Sequence, residues 1–503
     1  MRRVGAWAIA CAIAASLALT LASPATAAGG VKAVIRWTMA PLMHDANNDG
    51  IVDGDGGVPV KGALTSQPSA RRVGAGNHRA QPNERMIDGR LSWYLPDAVA
   101  PLFRVRLDAC DSRGRQYRWR VSSAAGATRT PWRDLQDCRT TVRLPEGPAS
   151  LVLEVRTGSS RATAQTTANV RHLLIVAMGD SYSSGEGNPR NVEAWLREGG
   201  SLTPYWDDDT CNRSARGAPA LAAQELEDAD THSSVTLVDV ACSGATIASG
   251  VLGPQPGSGI STGQLELARQ IIGARPVDIV MLGIGGNDDG FTSVLETCAL
   301  NSDCPLARPP AGPLARYPTL QQGVQAATAA LPKGYARIAA CLGGTGCTRA
   351  DGSPMEALAM APDGMVVPTM YPDITRSQAG EPCTYLTISA SEFAWTHATI
   401  LDPSPPNPYP FTTTAGAVVP LSTASGSLNG QIQATSTSLG WHPADGAWLA
   451  SGTGPTGHGV CAGDSAWVFG LTALSALPSA SFHPNPAGQQ AIADALVGAI
   501  RSH

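Results

Sequence analysis

The sequence predicts an α/β chain in which a doubly wound parallel sheet, over residues 172–503, follows a small all-β sandwich over residues 31–170. Between 31 and 170, apolar and polar residues alternate in short runs separated by turn residues. Phe103-Arg104-Val105-Arg106-Leu107, Tyr117-Arg118-Trp119-Arg120-Val121 and Leu151-Val152-Leu153-Glu154-Val155 are half-buried strands by this pattern. From His172 onward the runs Leu173–Met178, Val235–Val240, Val277–Leu282 and Met365–Met370 are continuously apolar and alternate with helical stretches, as buried parallel strands do. At 503 residues the chain also exceeds what one compact core holds, so two domains are expected.

Taken in order, Arg2 and Arg3 precede an apolar run from Val4 to Leu21, and Ala25-Thr26-Ala27 offers small residues for cleavage. Residues 1–27 therefore read as a signal peptide of a secreted chain, with an uncleaved membrane anchor as the alternative because the run is near the length that spans a bilayer, and no later run is long and apolar enough for a transmembrane segment. Of eleven cysteines Cys11 lies in that leader, and the ten that remain point to disulfides in an exported protein. Proximity pairs Cys110 with Cys138, Cys298 with Cys304 and Cys341 with Cys347, and leaves Cys211, Cys242, Cys383 and Cys461 for longer links whose connectivity stays open. The spacings lack the repeated Cys-x-x-Cys with His partners of a structural zinc site.

Asp45, Asn47 and Asp49, followed by Gly50, match the first half of an EF-hand loop, but Gly56 stands where the bidentate Glu belongs. A structural calcium site at Asp45, Asn47, Asp49 and Asp53 and a solvated acidic turn are both compatible with this stretch. Further on, the Tyr117-x-Trp119-x-Val121 strand, with Val142-Arg143-Leu144-Pro145-Glu146-Gly147 leading into Leu151-Val152-Leu153, resembles immunoglobulin-like modules of the polycystic-kidney-disease (PKD) type. In the second half, helices are expected at Ala218–Glu227, Gly263–Ile272 and Leu320–Cys341, the last interrupted by Pro332. Residues 402–462 form a Pro-, Gly-, Ser- and Thr-rich insertion with a helix near Leu428–Leu439, long enough to be expected beside a substrate cleft.

Charged residues make up 15% of the chain and the formal net charge is -5, so no basic field for nucleic acid exists and a small neutral partner fits better; a monomer is expected. The candidate chemistry gathers at strand ends. Gly179-Asp180-Ser181-Tyr182-Ser183-Ser184-Gly185-Glu186-Gly187 follows the first apolar run and places Ser181 at the carboxyl edge of the sheet, where open α/β sheets bind ligands. Cys242-Ser243-Gly244-Ala245 follows the second run and Gly285-Gly286-Asn287-Asp288 the third. His483 enters the last helix, with Asn485 as N-cap and Pro486 at the first helical position. A serine hydroxyl needs a base such as His483, and the oxyanion formed in acyl transfer needs donors, which the Ser181 N–H, the Gly244 N–H and the Asn287 amide can supply.

Singly, these are a turn serine, a turn glycine, a turn asparagine and a histidine beside a cap. Together, in order and strand context, Ser181, Gly244, Asn287 and His483 resemble the SGNH hydrolases, also called GDSL esterases and lipases, over about residues 172–490. Gly179-Asp180-Ser181-Tyr182, Ala241-Cys242-Ser243-Gly244-Ala245, His458-Gly459-Val460-Cys461 and Ser481-Phe482-His483-Pro484-Asn485 look closest to secreted actinobacterial lipases and esterases. The resemblance implies a flavodoxin-like three-layer αβα domain, a secreted carboxylic-ester hydrolase with a serine nucleophile, and disulfides Cys211–Cys242, Cys298–Cys304 and Cys383–Cys461. It implies lipid degradation or cleavage of a small-molecule or polysaccharide ester, with no cofactor required for catalysis.

One position departs from the family pattern: Ala480 stands where many members carry an Asp three residues before the histidine. The Ala480 carbonyl is the first expectation for orienting His483 and Asp464 the second, while Asp180 is expected to be structural and His442 and His458 to be loop residues. The competing class is a secreted glycan- or protein-binding surface protein on an inactive hydrolase fold, and the intact set of Ser181, Gly244, Asn287 and His483 argues against it.

Overall fold

The computed structural model describes residues 30–41, 102–198, 203–403, 408–452, 457–472 and 480–503, together with the paired strands Arg85–Ile87 and Arg90–Ser92. The expected leader and the expected calcium loop at Asp45, Asn47, Asp49 and Asp53 lie outside the described residues.

The N-terminal half is built from two facing antiparallel sheets. Arg36–Met39, Phe103–Asp108 and Arg139–Leu144 form one. Gln116–Ser123, flanked by Gly126–Arg129 and Gly147–Thr157, belongs to the other. Alternation sorts the side chains. Tyr117, Trp119 and Val121 point inward with Val105, Leu107, Leu151 and Leu153, all essentially inaccessible. On the opposite face Arg118 and Arg120 pair with Glu154.

A single strand, Ser160–Gly179, joins the two halves without a linker. Its residues 160–170 pair antiparallel with Gly147–Thr157, and its residues 171–179 pair parallel with Ser233–Asp239 and Val277–Gly283. The expected junction at residues 170–172 therefore lies inside one strand, where its partners change. His172 marks the seam: it is buried, its ring stacks on Phe103 at 4.5 Å, and it bridges Arg275 and Thr236.

The second half is a three-layer αβα domain around parallel strands Ser233–Asp239, 171–179, Val277–Gly283 and Met360–Pro368, in that spatial order. Ala218–Ala229 packs against Pro486–Arg501, and Leu320–Ala340 against Leu428–Leu439. Register brings two strand ends together, with Met178 opposite Leu282 and Gly179 opposite Gly283. A Cβ on Gly179 would meet the Gly283 carbonyl at 2.0 Å, so this close approach requires glycine.

The helix Leu320–Ala340 runs unbroken through Pro332, contrary to the expected interruption. Leu331, Tyr335 and Ile338 are buried on either side of it, while the Pro332 ring itself is on the exposed face of the helix. Five disulfides tie the chain: Cys110–Cys138, Cys211–Cys242, Cys298–Cys304, Cys341–Cys347 and Cys383–Cys461. Among the described residues no helix is long and apolar enough to cross a membrane.

Candidate active site

The strand ending at Gly179 turns sharply into a single helical turn, Ser181–Ser184, capped by Asp180, whose side chain accepts from the Tyr182 N–H at 3.0 Å. Ser181 thereby stands at the carboxyl edge of the sheet. His483 reaches it from the loop before Pro486–Arg501, where Asn485 caps the helix by accepting from the Gly488 N–H. The His483 Nε2 lies 2.8 Å from the Ser181 Oγ, and its Nδ1 lies 3.0 Å from the Ser481 carbonyl oxygen. A carbonyl only accepts, so Nδ1 carries the proton and Nε2 is left to accept from the serine hydroxyl.

This corrects the expected orienting group. The Ala480 carbonyl accepts instead from the His483 backbone N–H at 2.9 Å, closing the turn that points the Ser481 carbonyl at the ring. Asp464 is exposed in the short turn Gly463–Ser465. The carboxylate beside His483 is Glu186, whose Oε2 is 3.7 Å from Nε2.

Gly244 and Asn287 both line the cleft with Ser181 and His483. Gly244 adopts φ +77°, in the left-handed region open to glycine. Its peptide is held from the far side, where the Gln255 Nε2 donates to the Ser243 carbonyl at 2.7 Å, so the Gly244 N–H of the same trans peptide points the other way. The Asn287 Nδ2 donates to the Ala245 carbonyl at 2.9 Å, and Asp288 accepts from the Ile247 N–H at 3.0 Å, which ties the two loops together. Among the described residues, neither the Ser181 N–H nor the Gly244 N–H has an acceptor.

The cleft encloses about 400 Å³ and carries an apolar side of Phe291, Leu295, Ala299, Leu471 and Phe482. Residues 402–462, expected to flank it, contribute none of its lining among the described residues. They buttress it instead. Asn429, fully buried, exchanges two 2.9 Å hydrogen bonds with the backbone of Tyr371, whose hydroxyl donates to Asp180 at 2.5 Å and accepts from the Gly286 N–H at 3.0 Å. Burial raises the Asp180 pKa to about 7 against the hydrogen bonds from Tyr371 and Tyr182, and burial likewise raises Asp288 and Asp289 to about 7.

Asp180 is thus a capping and bracing group, as expected from sequence. His442 packs at a tilt against His503, and His458 lies flat on Trp467 at 3.9 Å, and neither lines the cleft that holds Ser181. Sequence reading passed over Glu186, Gln255 and Tyr371. Glu186 had one visible signal, its place between Gly185 and Gly187 in the turn that carries Ser181; Gln255 and Tyr371 had none. Among the described residues the cluster Asp108, Cys110 and Cys138 brings metal-type ligand atoms together, but both sulfurs are committed to a disulfide.

No protein-family model matches the chain. Lipase 1 of Streptomyces coelicolor is 33% identical over 159 residues, covering 31% of this chain and 46% of that protein. A lipase of Streptomyces rimosus is 33% identical over 143 residues, covering 28% of this chain and 40% of that protein. The chain thus spans less than half the length of the curated relatives it matches. Among solved structures, an extracellular lipase from Streptomyces rimosus aligns with 21% identity and a TM-score of 0.37, covering 66% of this chain and 99% of that one. A phospholipase A1 from Streptomyces albidoflavus aligns with 20% identity and a TM-score of 0.35, covering 65% and 98%.

Proposed function

We propose that the chain is a secreted serine carboxylic-ester hydrolase of the SGNH type, working through an acyl-enzyme on Ser181. The observation that carries this reading is the 2.8 Å contact between the Ser181 Oγ and the His483 Nε2, with Nδ1 held in the tautomer that leaves Nε2 free to accept. The Ser181 oxygen attacks the ester carbonyl while its proton passes to Nε2, which returns it to the departing alkoxide; water then repeats the sequence on the acyl-enzyme. In this reading the Ser181 N–H, the Gly244 N–H and the Asn287 amide, all on residues that line the cleft, are the donors for the oxyanion.

The two Streptomyces relatives carrying the name lipase support an ester substrate, and the apolar side of the cleft suits its acyl chain. Small-molecule, lipid and polysaccharide esters fall within this reading. Five disulfides support an oxidising, extracellular setting. The PKD-type assignment of the N-terminal sheets belongs to the same reading and rests on the Tyr117, Trp119 and Val121 strand. A panel of p-nitrophenyl esters of increasing acyl length tests the activity: wild type should turn over members that Ser181→Ala and His483→Ala do not, and equal turnover by wild type and Ser181→Ala contradicts it.

A further inference from the structure

We infer that Glu186 is a positioning residue that sets a negative charge beside the His483 imidazolium, the charge that Ala480 leaves out of this chain. The inference rests on the serine-hydrolase reading. Glu186 is 3% exposed and lies in the turn that carries Ser181. Its Oε1 accepts from the Asn212 Nδ2 at 2.9 Å, its Oε2 accepts from the Ser243 Oγ, and that same Oε2 stands 3.7 Å from the His483 Nε2.

A carboxylate this deep is costly unless hydrogen bonds and a cation compensate it. The two hydrogen bonds are present. Among the described residues no Lys or Arg lies within ion-pair distance of Glu186. Among the described residues the one partner within that distance is His483, which is neutral while it waits for the serine proton and positive once it has taken it. When the Ser181 Oγ bonds to the ester carbon, the O–H proton moves to Nε2, so positive charge appears on the atom nearest the carboxylate. That attraction is strong in the tetrahedral intermediate and weak in the resting state, which is the condition for an interaction to raise turnover rather than affinity.

The two ring nitrogens divide the work. The Ser481 carbonyl on Nδ1 fixes tautomer and orientation but brings no full charge, and Glu186 brings the charge on the Nε2 side. At 3.7 Å it does not displace the 2.8 Å contact with Ser181. Through Ser243 the carboxylate also holds the residue preceding Gly244, so nucleophile, base and oxyanion loop share one anchor. The other titratable groups facing the cleft are Asp180, Tyr182, Tyr371 and Glu296. Asp180 is occupied by Tyr371 and the Tyr182 N–H, and the Tyr182 hydroxyl by the Phe482 carbonyl.

The test uses the full chain, p-nitrophenyl butyrate, and the acylation burst measured across pH for wild type, Glu186→Gln, Glu186→Asp and Ser243→Ala. Glu186→Gln should slow acylation by about tenfold to a hundredfold with KM little changed, the usual scale for a contribution to general base catalysis. It should also move the acid limb of kcat/KM to lower pH, because loss of the carboxylate disfavours the protonated imidazole. Glu186→Asp should fall between wild type and Gln, and Ser243→Ala, which removes a hydrogen bond but no charge, should leave the acid limb in place. Should the Gln variant not fold, the Asp variant still decides, since it keeps the charge and changes only its distance. An unmoved acid limb in the folded Glu186 variants overturns the inference and leaves the hydrolase reading standing if wild type still shows a burst. Absence of any hydrolysis of the ester by wild type overturns both.

Discussion

The Tyr182 hydroxyl donates a 2.8 Å hydrogen bond to the carbonyl oxygen of Phe482, so the residue after Ser181 holds the residue before His483. Phe482 sits at φ +60°, a conformation that costs an aromatic residue about 1–3 kcal/mol and persists only where surrounding contacts enforce it. Tyr182→Phe keeps the packing and removes that restraint. It should fold normally and lower kcat by about tenfold with KM little changed, as expected for a misplaced catalytic group. Steady-state kinetics beside a melting curve checks this, and an unchanged kcat contradicts it.

Gln255 offers a second positional test. Its amide holds the Ser243 carbonyl and thereby aims the Gly244 N–H, although Gln255 is not itself one of the residues lining the cleft. Gln255→Leu should reduce kcat by up to about a hundredfold, bounded by the loss of a whole oxyanion donor. Measured affinity for a neutral substrate analogue should hardly change, whereas inhibition by a phosphonate that mimics the oxyanion should weaken.

Asp464 is predicted to be dispensable. The orienting bond to Nδ1 comes from the Ser481 carbonyl, so Asp464→Asn should lower turnover less than tenfold. A loss near the roughly ten-thousandfold seen for a triad acid would mean that the aspartate reaches the ring in solution.

His172 makes the seam between the two halves sensitive to acid. Burial, reinforced by the Arg275 guanidinium, holds its pKa well below the ordinary imidazole value. The folded chain therefore binds fewer protons than the unfolded one in acid, so this contribution is present above about pH 6.5 and is lost as pH falls below it. Melting temperature should decline from pH 7 toward pH 5, and His172→Gln should flatten that decline while lowering stability at pH 7. An equally steep decline in the variant contradicts the assignment.

Much of this architecture was legible because buried parallel strands write themselves as continuous apolar runs. Leu173–Met178 and Val277–Leu282 fall inside observed strands, and the helix at Leu428–Leu439 has the bounds expected for it. The meeting of Ser181 with His483 was legible through motif order, since both stand at element boundaries that topology brings to one edge. Contacts between side chains distant in sequence were not. Asn429 reaches Tyr371, and Gln255 reaches Ser243, through loop conformations that no local pattern specifies. The orienting carbonyl was displaced by one residue, from Ala480 to Ser481, because the His483 N–H claims the Ala480 oxygen. The continuity of Ser160–Gly179 was hidden because its first half alternates and its second half does not, so one strand reads as two.

Covalent labelling tests the central claim most directly. A fluorophosphonate should modify the wild-type chain at one site, located by peptide mass spectrometry on Ser181, and should leave Ser181→Ala unmodified and His483→Ala slowed by orders of magnitude. Failure of the wild type to react, or modification that persists in Ser181→Ala, would contradict the account of Ser181 as a nucleophile activated by His483.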